Sequence, residues 1–313
     1  MMNTTKPRSV RSTRQMLVRD FTRYKYLYMM AIPVLLYFII FKYLPMYGVV
    51  VAFKNFSPGK GIMGSPWVGL KNIQSFFNSV YAWRVIRNTL MINIYGLIFG
   101  FPAPIILALL LNELRNKRFK SVVQTVTYLP YFISLVVVCG IIVQFSSLNG
   151  VINDLIEMLG GKRITLLTQP QLFRTIYIST GIWQNLGYNA IIYLAAIAGI
   201  DQEQYEAAII DGAGRWKQTL HVTLPSIAPT IIIMLILRIG SMMSVGFEKI
   251  VLLYNASTYE TADVISSFVY RRGLQEFKFS FSAAVDLFNS LINFTLVILA
   301  NRISAKVSET SLW

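Results

Sequence analysis

Six apolar runs restrict this chain to one class of fold. They cover residues 26–44, 89–111, 122–145, 176–200, 227–247 and 283–303. At 1.5 Å of rise per residue, each is long enough to cross about 30 Å of hydrocarbon as a helix. The expected fold is therefore an all-α membrane protein with six transmembrane helices. The fourth run is the least clean, because Trp183-Gln184-Asn185-Leu186-Gly187-Tyr188-Asn189 interrupts it. Composition agrees: 55% of the 313 residues are hydrophobic, 14% are charged and the mean hydropathy is +0.54. A soluble domain carries about a quarter charged residues, so an ordinary water-soluble enzyme is excluded.

The net charge of +15 would suggest nucleic acid in a soluble protein. Here the basic residues flank apolar runs instead, so no nucleic-acid partner is expected; the surroundings are membrane lipid. Lys6, Arg8, Arg11, Arg14, Arg19, Arg23 and Lys25 stand against a single acid, Asp20, before the first run. Arg115, Lys117, Arg118 and Lys120 follow the second. Segment 112–120 has four basic residues in nine, whereas 46–86 has four in forty-one. By the positive-inside rule this places the N-terminus inside and, after an even number of spans, the C-terminus inside as well. The chain then divides into a basic cytoplasmic segment, 1–25, and a transmembrane domain, 26–313. The stretch 15–25 is expected along the inner membrane surface, preceded by either more of the same or a disordered basic tail. No cleavage site follows the first run, which reads as an uncleaved span.

Little enzymatic chemistry is available. Cys139 and His221 are the only cysteine and the only histidine. They leave no internal disulfide and no cysteine metal cluster, and almost nothing for a zinc site or a Ser-His-Asp triad. Gly59-Lys60-Gly61 and Gly160-Gly161-Lys162 fall short of a phosphate-binding loop, so no nucleotide or other cofactor is expected in this chain.

The loop 201–225, between the fourth and fifth runs, breaks the charge pattern. It is cytoplasmic by the span count yet carries Asp201, Glu203, Glu206 and Asp211 against Arg215 and Lys217. Its residues predict a short helix, a turn and a second helix. Asp201 is placed to cap the first, with Gln204 in the capping-box position. Gly212 and Gly214 permit a sharp turn. Ala207, Ala208 and Ala213 keep one surface small, Tyr205, Ile209 and Ile210 offer apolar contact, and Pro225 suits the first turn of the next span. Such a hairpin is open to two readings: a plain linker or a docking element.

The run Glu206-Ala207-Ala208-Ile209-Ile210-Asp211-Gly212-Ala213, followed by Leu224-Pro225, resembles the Glu-Ala-Ala loop of binding-protein-dependent importers. These are the permease subunits of ATP-binding-cassette systems, and the maltose-type sugar permeases are the most similar. The stretches 246–255, 259–265 and 269–274 resemble the branch that imports complex oligosaccharides and polysaccharide fragments. The resemblance implies a type I importer permease fold in a bacterial cytoplasmic membrane, with the loop as a coupling helix. By it, Glu206, Ala207, Ala208, Asp211, Gly212 and Ala213 contact a cytoplasmic ATPase dimer, which binds the ATP and Mg. The other implied partners are a second homologous permease and an extracellular sugar-binding protein.

Sugars are held by aromatic faces and hydrogen-bonding groups. The fourth run supplies Gln184, Asn185, Tyr188, Asn189 and Tyr193, which must face other helices or a wet path, since unpaired polar groups are costly in lipid. Arg238 lies thirteen residues after Pro225, hence about 20 Å along a helix, near mid-membrane. It reads either as a path residue or as a structural ion pair with Asp286. Gly96 and Gly100 form a small-xxx-small face for close packing. Three alternatives stand beside this reading: a secondary carrier or channel, an intramembrane enzyme, and the same importer class with amino acids or phosphate as cargo.

Overall fold

The structure, a computed structural model, describes residues 23–307. Segment 1–25 thus lies outside the described residues except for 23–25. Every regular element of the described chain is helical; its one β-type contact is an isolated bridge between Lys54 and Trp67.

The long helices are α1 (Lys25–Phe53), α2 (Ala82–Glu113), a bent pair α3 (Lys117–Phe132) and α4 (Leu135–Phe145), and α5 (Pro170–Ala198). A short helix α6 (Gln202–Ile210) leads into α7 (Arg215–Gly240). A second short helix, α8 (Phe247–Leu253), precedes α9 (Phe279–Val307). By length and apolarity, α1, α2, α7 and α9 qualify as membrane spans, and the bent pair makes a fifth if taken as one. Helix α5 has 29 residues but is diluted by its polar heptapeptide.

Prolines shape these helices in two ways. In α1, α2 and α7 a wide turn with i→i+5 bonding occupies Ile39–Tyr43, Gly96–Gly100 and Thr219–Thr223. Pro45, Pro102 and Pro225 each follow two residues past the turn's end. Proline has no N–H and crowds the carbonyl four residues back. A widened turn, seen in the 3.1 Å bond from Phe101 N to Gly96 O, absorbs the missing donor so that the helix continues. Helix α7 therefore starts at Arg215 and runs through Pro225, which lies inside the helix rather than in its first turn. It ends at Gly240, short of the expected 247.

The third apolar run behaves differently. Pro130 sits in a tight 3₁₀ turn, Leu129–Phe132, and Ser134 starts a new helix by accepting from Val137 N at 3.4 Å. The two halves meet at 100°, so the single straight span expected over 122–145 is a bent pair.

Helix α5 is central and packs on α2, α3 and α7. Its contact with α3 depends on Gly187: a Cβ there would intrude on the Thr127 carbonyl and lie 2.6 Å from the Tyr128 ring. One buried cluster, with Ala108, Ala190, Tyr193, Ile197 and Ile227, ties α2, α5 and α7. Another, with Val138, Phe173 and Ile250, ties α4, α5 and α8. By contrast, only 6% of the apolar window of α1 is buried within the chain.

Two ends result. At one, Arg215 pairs with Glu113 at 3.3 Å beside α6. At the other, Phe56 N donates to Ser280 Oγ, Thr261 Oγ1 to the Pro170 carbonyl, and Asn255 Nδ2 to the Leu167 carbonyl. The connections after α1, α4 and α8 thus meet opposite the α6 loop.

Candidate functional site

Helix α6 is an arm tied at its base and bare at its tip. Asp201 caps it, accepting from Glu203 N at 3.1 Å. Gln204 does not complete a capping box; its Oε1 instead accepts from Ser226 Oγ on α7 at 3.3 Å. Tyr205 Oη lies 2.9 Å from Thr223 Oγ1, also on α7. These two bonds fix the arm's angle to the following span.

The arm ends in a Schellman turn. Ala213 N donates to Ala208 O at 2.8 Å and Gly212 N to Ile209 O at 3.0 Å. Gly212 holds the left-handed position this motif demands, φ +75°. Around that turn Glu206, Ala207, Asp211 and Gly212 are exposed, and Ala208 and Ala213 half-buried. Ile210 is 85% and Trp216 73% exposed, with Ile209 beside them at 60%. An apolar patch at the tip of a polar arm is the form of a protein-docking surface. Trp216 has no marked signal in the sequence, where it stands between Arg215 and Lys217.

The second feature is a cavity of about 680 Å³ walled by α2, α5 and α7. Gln184, Asn185, Asn189, Tyr193 and Arg238 all line it. Tyr188 does not; it stacks flat against Tyr131, centroids 3.7 Å apart, and Tyr131 is the ring that lines the cavity. Asn185 donates to the Gly181 carbonyl of its own helix, which leaves its carbonyl oxygen for the cavity.

Arg238 makes no ion pair with Asp286 or with any other described residue. Its guanidinium lies against Gly96, where a Cβ would stand 2.8 Å from Nη2. The small face at Gly96 thus seats a charge. Lys249 of α8 joins the lining although nothing in the sequence marked it. Its ammonium donates to the Tyr177 carbonyl at 3.1 Å and lies over the Tyr177 ring at 4.9 Å. The docking of α8 onto α5 creates this contact across 72 positions of sequence.

A smaller crevice opens at the end opposite the arm. Asp263 is fully buried there between Arg84, at 3.1 Å, and Arg271, at 2.7 Å. Tyr81 and Tyr259 line its wall. Arg272 and Lys278 both donate to Glu276, and these bonds hold its carboxyl below the usual carboxylate range. Among the described residues no cluster of His, Cys, Asp and Glu could hold a metal.

Comparison with known proteins bears on the fold and the family. Residues 100–309 match the family described as binding-protein-dependent transport system inner membrane component. The chain is 46% identical to protein LplB of Bacillus subtilis (strain 168), covering 93% of this chain and 92% of that one. It is 43% identical to the polygalacturonan/rhamnogalacturonan transport system permease protein YteP of the same organism, covering 96% and 94%. The crystal structure of a bacterial ABC transporter involved in the import of the acidic polysaccharide alginate superposes with a TM-score of 0.87. That match has 43% identity and covers 93% of this chain and 99% of that one. A related crystal structure, of the alginate transporter in complex with a pentasaccharide-bound periplasmic protein, matches with a TM-score of 0.87 and 42% identity over 94% and 99%.

Proposed function

The chain belongs to the family of binding-protein-dependent transport system inner membrane components, the permease subunits of ABC importers, and on that premise we propose that its cargo is an oligosaccharide or polysaccharide fragment. The cargo class is supported by YteP, named for polygalacturonan and rhamnogalacturonan, and by the alginate importers. Six spans with both termini inside a bacterial cytoplasmic membrane fit the ends described above. In that arrangement α5, polar as it is, forms the sixth crossing, shielded from lipid by its neighbours.

The observation that carries the mechanism is the α6 arm, bonded to α7 at its base and apolar at its tip. A cytoplasmic ATPase dimer receives Glu206, Ala207, Ala208, Asp211, Gly212 and Ala213, together with Ile210 and Trp216. ATP and Mg belong to that dimer. Closure of the dimer drives the arm, and the bonds Tyr205–Thr223 and Gln204–Ser226 pass the motion to α7, one wall of the cavity. A second permease completes the path, and an extracellular sugar-binding protein delivers cargo at the opposite end. The chain makes and breaks no bonds of the sugar. Gln184, Asn185, Asn189, Tyr193 and Arg238 contact cargo, with Tyr131 backed by Tyr188.

The test is ATP hydrolysis stimulated by sugar-loaded binding protein in the reconstituted complex. Gly212→Val strains the left-handed turn, and Glu206→Lys reverses the charge offered to the ATPase. Stimulation should fall in both while the permease pair still co-purifies. Wild-type stimulation with normal ATPase content in both variants would make the arm a linker.

A further inference from the structure

Among the described residues, two cations line the cavity and no carboxylate does. Arg238 enters from α7 and Lys249 from α8. Neither forms an ion pair with any described residue. Both are nevertheless built into the wall. The absence of a side chain at Gly96 makes room for the Arg238 guanidinium. Lys249 is only 7% exposed, and a Cβ at Gly181 would stand 3.4 Å from its Nζ.

The Tyr177 carbonyl and ring satisfy part of the ammonium's bonding capacity but do not neutralise it. A charge as buried as that of Lys249 is destabilising unless a counter-charge arrives. A path for neutral sugar needs only amides, hydroxyls and aromatic faces, and the cavity already has these in Gln184, Asn189 and Tyr131. The cations are therefore surplus to neutral-sugar transport.

We propose that the cargo is an anionic oligosaccharide whose sugars carry carboxylates, and that Arg238 and Lys249 serve as its transient counter-charges inside the membrane. This rests on the oligosaccharide reading above and specifies its chemistry. A guanidinium takes a carboxylate in a two-pronged bond, while an ammonium on a flexible stem follows a moving charge. Because the two cations come from different helices, the site they form changes when α7 moves. Carboxylate held by both in one state is released by their separation in another.

The experiment uses the full complex in proteoliposomes with its binding protein. Uptake of oligogalacturonates and of mannuronate–guluronate oligomers, three to six residues long, is measured against the same oligomers after carboxyl reduction to neutral sugars. Wild type should favour the charged form of at least one series. Lys249→Met and Arg238→Gln should each lower the ratio of charged to reduced uptake by about tenfold, the scale of one charge-assisted hydrogen bond. Lys249→Arg should restore most of the ratio. Should Lys249→Met fail to assemble, Arg238→Gln decides, since that side chain is exposed. An unchanged ratio in the assembled variants, or wild-type preference for the reduced oligomers, overturns the proposal and leaves the importer reading standing. Uptake of neither form by an intact complex would instead overturn the oligosaccharide reading itself.

Discussion

Single residues carry the close contacts on which this bundle depends, and glycine does so in two distinct ways. Gly212 supplies a backbone conformation, whereas Gly187 supplies space. At position 187 any side chain meets main-chain atoms of Thr127, which cannot swing aside as a rotamer would. Gly187→Val should thus separate α3 from α5 and destabilise the protein by about 1–3 kcal/mol, the usual cost of overpacking. A lowered unfolding temperature of the purified permease in detergent would register this, and an unchanged temperature would contradict the packing argument. The stacked pair Tyr131 and Tyr188 separates two roles in the same way. Tyr131→Ala removes the ring that lines the cavity, and Tyr188→Phe keeps the stack while deleting only a hydroxyl. Sugar uptake should fall in the first and stay near wild type in the second; equal loss in both would put Tyr188 itself on the path.

Elements differ in how much of them could be read in advance, and the differences have local causes. The arm was legible because its determinants are near neighbours in sequence: Asp201 caps, Gly212 turns, and the small and apolar residues lie between them. The bend between α3 and α4 was hidden because 122–145 is apolar on both sides of Pro130, and the break needs Ser134 to cap a new helix. The start of α7 is hidden in the sequence for the opposite reason. A proline usually marks a helix start, but the wide turn at Thr219–Thr223 lets the helix run through Pro225. In the cavity, the residues of α5 and Arg238 stood out as polar groups in apolar runs. Lys249 did not, since only the folded chain brings α8 against Tyr177. The arm's tip also yields a prediction at this scale. Ile210 is almost wholly exposed, and burying an isoleucine is worth roughly 1.5–3 kcal/mol. Ile210→Asp should therefore weaken ATPase association by about tenfold or more, read as ATPase retained on the immobilised permease pair. Full retention would remove Ile210 from the interface.

At the scale of the whole molecule the question is which end faces out. The structure gathers the connections after α1, α4 and α8 at one end and the α6 arm at the other, and the basic cluster at 115–120 lies beside the arm through Glu113 and Arg215. Positive residues favour the cytoplasmic side, so the arm end should be inside. The exposed surface of α1 then faces lipid or the second permease, because little of it is covered by its own chain. This orientation can be tested with almost no background. Cys139 is the sole cysteine and is only 2% exposed, so the unmodified chain should resist a membrane-impermeant maleimide. Lys60→Cys and Ser257→Cys place thiols on exposed positions at the end opposite the arm, and Ile210→Cys places one at the arm's tip. In intact cells stripped of any outer permeability barrier, the first two should label and the third should not. After the membrane is opened, Ile210→Cys should label as well, which shows that its thiol is reactive. Labelling of Ile210→Cys before opening, or protection of both other sites, would invert the molecule in the membrane. It would also place the arm where no cytoplasmic ATPase can reach it.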